Sequence, residues 1–172
     1  MKKIIFLDID GVMESHRPVK RSWFSFSKKP TEDEFGPLYD EEAVETLKEV
    51  IDQTGAKIVI SSSYRNRDGN YFCRLWKKRR LPGEVIGGTP FVTDPDFFDY
   101  CGFEDLNEAN MNNKAMEVKV WLAKNADLDT RYVIIDDNEN WLDEQRPYVV
   151  VTSWQTGLTK DKAMSIINIL NN

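Results

Sequence analysis

The residues best suited to chemistry stand in two acidic pairs, each closing a short apolar run. Asp8 and Asp10 end IIFLDIDGV, with Gly11 between them and the next valine, and Asp136 and Asp137 end YVIIDD. Either pair alone reads equally well as a turn or a helix cap, since Asp-Gly is a common turn signal. Together they are harder to dismiss. Four unpaired carboxylates in one cleft are very unfavourable unless a cation is shared. A hard, oxygen-ligated cation such as Mg²⁺ suits them, because it is held by one or two carboxylates, waters and substrate phosphate.

The elements that would position these pairs follow from hydrophobic periodicity. Strands are expected at Lys3 to Leu7, Lys57 to Ile60, Tyr132 to Ile135 and Tyr148 to Thr152. Helices are expected at Asp40 to Gln53 with Asp40 as N-cap and Gly55 past the end, and at Asn70 to Arg80, stopped by Pro82. Two more follow: Asn113 to Asn125, with Met116, Val120 and Leu122 inward, and a last helix capped by Thr159 with Ala163, Ile166, Ile167 and Leu170 as its core face. Solidly apolar strands alternating with helices imply an α/β fold with a mainly parallel sheet covered on both faces. Three strands end in polar clusters: Asp8-Ile9-Asp10, Ser61-Ser62-Ser63 and Asp136-Asp137. Ligand sites of open α/β sheets lie at the carboxyl ends of strands, so the clusters should share one edge.

Four motifs in this order resemble the haloacid-dehalogenase-like (HAD) phosphatase superfamily. They are IIFLDIDGV, KIVISSSYR with Ser61 and Arg65, Lys114 at the head of NKAMEVKVWL, and VIIDDNENW. The resemblance covers nearly the whole chain. The stretches KAMEVKVWL and YVIIDDNEN, with GLT before a last helix, also resemble a small branch of HAD domains found within RNA-repair proteins. The resemblance implies a Rossmann-like three-layer α/β/α core. It implies Asp8 as a nucleophile that forms an aspartyl-phosphate and Asp10 as general acid–base. Ser61, or its neighbour Ser62, would bind the phosphoryl group, and Lys114 would neutralise phosphate charge. Lys119, in the same helix, reads as a surface residue. Asp8, Asp10, Asp136 and Asp137 would hold Mg²⁺, Asp10 through its backbone carbonyl because the chain turns at Gly11. An acid two residues after the nucleophile suits phosphate-ester hydrolysis rather than dehalogenation.

The substrate side rests on inserts and charge. A single domain spanning 1–172 is expected, with a small cap insert at about 12–39 and a largely irregular substrate loop at about 81–112. Net charge is −6, yet residues 17–29 carry five basic residues and no acid, and residues 65–80 carry seven and one acid. Trp23, Phe24 and Phe26 among Arg17, Lys20 and Arg21 fit either a base-stacking surface or a hydrophobic lid. LWKKRR fits a solvated helix face or a nucleic-acid groove. Arg65, four residues after Ser61, could fork onto a phosphate, or else cap the next turn. Gly11, Ser62 and Arg65 complete the expected substrate-binding set. His16 reads as a surface or substrate-contacting residue rather than a metal ligand.

An open site with basic inserts favours the phosphate of a nucleotide or nucleic-acid end. A small non-nucleotide phosphomonoester, transfer to a substrate hydroxyl, and a catalytically silent binding module are the alternatives. No apolar run reaches the ~20 residues of a membrane span. The start lacks the apolar core of a signal peptide, and Cys73 and Cys101 match no metal spacing. The expectation is therefore a cytoplasmic protein with free thiols. No stable protein partner can be inferred.

Overall fold

The computed structural model describes residues 1–16, 31–66, 70–93, 97–99 and 113–172. In chain order the elements are β1 (Lys3–Leu7), the two-residue strands β2 (Glu32–Asp33) and β3 (Gly36–Pro37), α1 (Glu41–Thr54), β4 (Lys57–Ile60) and α2 (Tyr71–Arg79). They continue with β5 (Val85–Gly88), α3 (Asn113–Asn125), β6 (Arg131–Asp136), β7 (Val149–Val151) and α4 (Ala163–Asn171). Five strands form one parallel sheet in the order β5-β4-β1-β6-β7.

The apolar strands are explained by burial on both faces. Ile5, Leu7, Ile58, Ile60, Val133 and Ile135 pack with Leu47 and Val50 of α1, Leu75 of α2 and Ile166 and Leu170 of α4. Ile4, Phe6, Val59 and Ile134 face the other way, onto Ala115, Val118 and Trp121 of α3. This is a three-layer α/β/α core of Rossmann-like type. Among the described residues, no helix is long and apolar enough to cross a membrane.

Register decides what gathers at the carboxyl edge. Leu7 of β1 pairs with Ile60 on one side and Ile135 on the other. The next residues, Asp8, Ser61 and Asp136, therefore start one cross-strand row. The Ser61 amide donates to the Leu7 carbonyl at 2.8 Å, and the Asp8 amide to the Ile135 carbonyl at 3.1 Å. Side chains alternate faces along a strand, so this row shares the α3 face with Phe6.

The structure departs from the sequence reading in three places. β5 lies inside the stretch expected to be irregular; Gly87 and Gly88 conceal it, yet Gly88 lets the strand lie close to β4, where a Cβ would come within 3.2 Å of the Ile60 carbonyl. Asp40 makes no side-chain cap; its carboxylate accepts a hydrogen bond from the Ser15 hydroxyl instead. The charged end of α2 is not uniformly solvated. The Arg79 side chain, 6% exposed, donates to both oxygens of Asp33 at 3.0 and 2.7 Å and clamps the β2–β3 hairpin to the helix. Glu117, on which the sequence offered no reading, sits on the inward side of α3, buried against the sheet edge. The basic-aromatic stretch with Arg17, Lys20, Arg21, Trp23, Phe24 and Phe26 lies outside the described residues, as does Cys101.

Glu117 is there because Arg65 is. Their side chains, 6% and 7% exposed, form an ion pair. Arg65 Nε donates to the Thr89 carbonyl at 2.9 Å, and its two terminal nitrogens donate to the carbonyls of Ser62 at 2.7 Å and Pro90 at 3.2 Å. The guanidinium also lies 3.9 Å from the Phe91 ring centre. One arginine thus ties the turn after β4, the end of β5 and the first turns of α3 together. Breaking a buried pair leaves an uncompensated charge and costs about 3–5 kcal/mol, whereas replacing both partners by apolar residues costs far less. Glu117→Gln is expected to destabilise by about 3 kcal/mol in urea unfolding, and Arg65→Met with Glu117→Leu by clearly less. Wild-type stability in Glu117→Gln would contradict the clamp.

Candidate active site

Three carboxylates meet above the central strands. One oxygen each from Asp8, Asp136 and Asp137 lies within 4.8 Å of the others. Asp8 and Asp136 are buried, at 4% and 0% exposure. Their charge is met by Lys114, on the first turn of α3, whose ammonium donates to Asp8 Oδ2 at 2.5 Å and Asp136 Oδ2 at 2.8 Å. Gln145 helps hold that turn by donating to the Ala115 carbonyl at 2.8 Å.

The loops after the strands are equally constrained. Gly11 has φ of 69°, a conformation that favours glycine, and a Cβ there would stand 2.3 Å from Asp137 Oδ2. Glycine is needed both for the turn and for the approach of Asp137. Thr152, after β7, donates its hydroxyl to the Gly11 carbonyl at 2.7 Å and its amide to the Asp136 carbonyl at 2.9 Å. The Asn138 amide donates to Asp136 Oδ1 at 2.9 Å, an Asx turn that fixes the carboxylate.

Asp10 stands outside the three-carboxylate group and is more exposed. Its carboxyl accepts a hydrogen bond from Tyr64, and burial followed by the Asp8 charge raises its pKa against the opposing pull of Lys114. Burial disfavours the Lys114 charge, but Asp8 and Asp136 outweigh it and leave its pKa above the usual lysine value. Asp136 is pushed up to about 6 by burial and by Asp8, with Lys114 pulling the other way.

The two candidate serines differ in their surroundings. Ser62 Oγ accepts the Tyr64 amide at 3.3 Å within the local turn. Ser61 Oγ, in the row of Asp8, is buried without a hydrogen-bond partner among the described residues. Arg65 is not brought to the cluster, because its guanidinium is taken up by Glu117, three carbonyls and Phe91. Its expected fork onto a phosphate does not fit those surroundings. Lys119 lies 3.5 Å from Glu144 and not on the carboxylates. His16 packs edge-on against Trp154, with ring centres 5.3 Å apart, away from them. Tyr64 and Thr152 went unnoticed in the sequence. Tyr64, three residues after Ser61, offered only a position, and Thr152 looked like the end of a strand.

A parallel sheet in this order, with an acidic first strand end facing a lysine and a second acidic pair, is a Rossmann-like HAD core. The chain belongs to the family described as the HAD domain in Swiss Army Knife RNA repair proteins, whose model matches residues 4–163. That membership carries a HAD-type phosphatase or related function and hydrolase activity in general. No curated protein and no solved structure matches the chain.

The Asp136 shift has a consequence for stability. Its folded pKa lies above its ordinary value of 3.8. The stabilisation from its protonated form is therefore complete below about 4 and is lost as pH rises through about 6. In chelator, wild type should lose on the order of 2–3 kcal/mol relative to Asp136→Asn between about pH 4 and pH 6.5, with a level difference above. Thermal melts across that range check it; parallel curves for the two proteins would contradict it.

Proposed function

We propose that this chain is a Mg²⁺-dependent phosphatase that hydrolyses a phosphomonoester through an aspartyl-phosphate on Asp8. The observation that carries the reading is the Asp8 carboxylate held between Lys114 and two further aspartates, beside the unpartnered hydroxyl of Ser61. The donor set fits the metal. Three carboxylate oxygens within 4.8 Å of one another are the kind of donors that a hard, oxygen-ligated cation would take. Asp8, Asp136 and Asp137 would hold it with the Asp10 carbonyl, and when bound it neutralises charge on the transferring phosphoryl group.

The chain's own residues account for the other steps. The Lys114 ammonium orients the Asp8 carboxylate, and a carboxylate oxygen of Asp8 attacks phosphorus as the bond to the leaving oxygen breaks. Asp10, with its raised pKa, donates a proton to that oxygen. It then takes a proton from the water that attacks the phosphorus of the acyl phosphate, releasing inorganic phosphate and restoring Asp8. Ser61 and Lys114 supply hydrogen bonds and charge to the phosphoryl oxygens, where preorganised donors contribute most.

For the substrate we infer a nucleotide or a nucleic-acid end phosphate. The family's description as a domain of RNA repair proteins supports this, as do the exposed aromatics Tyr64 and Trp154 on loops beyond the carboxyl edge.

Aryl phosphate hydrolysis with Mg²⁺ should fall to background in Asp8→Asn and with chelator; activity surviving both would sink the mechanism. In a panel with Mg²⁺, 3′- or 5′-phosphorylated oligonucleotides and mononucleotides should show higher kcat/KM than sugar phosphates. Equal or better sugar phosphates would overturn the substrate assignment.

A further inference from the structure

Among the described residues a second buried hydroxyl, besides Ser61, lacks a hydrogen-bond partner: Oγ1 of Thr89, a residue 4% exposed. Leaving a buried donor unmade costs about 1–3 kcal/mol, so a folded protein that keeps two such groups side by side has something to satisfy them. Their placement says what. Gly88 of β5 pairs with Ile60 of β4, and the Thr89 amide donates to the Ile60 carbonyl at 2.9 Å. Thr89 therefore follows Gly88 as Ser61 follows Ile60, Asp8 follows Leu7 and Asp136 follows Ile135. The row at the carboxyl edge reads Asp136, Asp8, Ser61, Thr89 across four adjacent strands spaced ~4.8 Å apart. Its acidic half carries Lys114 and the cation seat. Its other half carries two hydroxyls and no charge.

Thr89 is also held firmly. Its carbonyl and that of Pro90 both accept from Arg65, which Glu117 anchors. A residue held by its backbone on both sides, with its hydroxyl left over, is positioned rather than loose. An anion over β1 and β4 would meet the cation and lysine on one side and these donors on the other.

We propose that Thr89 is a substrate-contacting residue whose hydroxyl, beside that of Ser61, donates a hydrogen bond to a phosphate oxygen of the bound substrate. The inference rests on the phosphatase reading and adds a contact on the edge strand to it.

The test uses Thr89→Val, which keeps the shape and removes the hydroxyl, and Thr89→Ser, which keeps the hydroxyl. Three quantities are measured: aryl phosphate kinetics with Mg²⁺, orthophosphate affinity by calorimetry, and the ligand-free melting temperature. A hydrogen bond to a charged oxygen predicts a roughly ten- to hundredfold loss of kcat/KM in Thr89→Val. Orthophosphate affinity should fall in step, and Thr89→Ser should restore both. The ligand-free melting temperature of Thr89→Val should hold or rise, because an unsatisfied hydroxyl has been replaced by a methyl group.

Wild-type kinetics and phosphate affinity in Thr89→Val would overturn the inference. If the melting temperature fell as well, the hydroxyl would be a structural group satisfied by a trapped water. The two claims fail separately. A wild type that binds orthophosphate more tightly than Thr89→Val, yet turns over no phosphomonoester, would sink the phosphatase reading and keep Thr89 as an anion ligand. A turning-over wild type equalled by Thr89→Val would sink the Thr89 contact alone.

Discussion

The structure turns on one electrostatic constraint: two buried carboxylates, Asp8 and Asp136, face each other on adjacent strands, and the Lys114 ammonium bridges them. Without that positive charge, burial and mutual repulsion would drive one of them to hold its proton. With it the pair is only partly balanced, since Asp136 is still pushed upward and Asp137 adds a third carboxylate to the group. Three carboxylates against one ammonium leave the site short of positive charge, and that deficit is what the proposed cation would meet. In the proposed reading, the repulsion that would spoil an ordinary strand end is what a bound divalent ion would relieve.

Everything nearby serves to hold that arrangement in place. The parallel register puts Asp8, Asp136 and Ser61 in one row on the face that α3 covers, so a lysine on the first turn of α3 can reach two strands at once. Thr152 and Gly11 fix the loop that carries Asp10, and Gly11 leaves the space Asp137 occupies. Arg65 and Glu117 fix the opposite side, joining the ends of β4 and β5 to the helix that bears Lys114. The desolvation of that ion pair is compensated by three carbonyls and an aromatic ring, so its benefit lies in geometry more than in net stability.

The carboxyl-edge cluster was legible in the sequence because its signals are local: apolar runs that stop at Asp8, Ser61 and Asp136 need only alternation and turn chemistry to be read. Lys114 was legible only through the resemblance to the HAD superfamily, as the lysine at the head of NKAMEVKVWL. What was not legible depends on contacts between distant residues. Glu117 looks like an ordinary solvent-facing acid unless Arg65 is known to lie opposite, and Arg65 looks like a phosphate ligand until Glu117 takes it. β5 is hidden by two glycines, of which Gly88 lets β4 approach, a tertiary reason with no periodic trace. Arg79 sits in a run of basic residues that composition reads as solvated, while its actual partner, Asp33, lies in a hairpin only two residues wide on each side.

The central claim is that Asp8 forms a covalent bond to phosphorus. Acid-quenching the protein during aryl phosphate turnover with Mg²⁺, reducing with borohydride and mapping peptides by mass spectrometry tests it most directly, because an acyl phosphate is reduced to homoserine. The account predicts homoserine at position 8 and at no other aspartate. Sustained turnover with Asp8 unmodified, or with modification at Asp10, Asp136 or Asp137 instead, would contradict it.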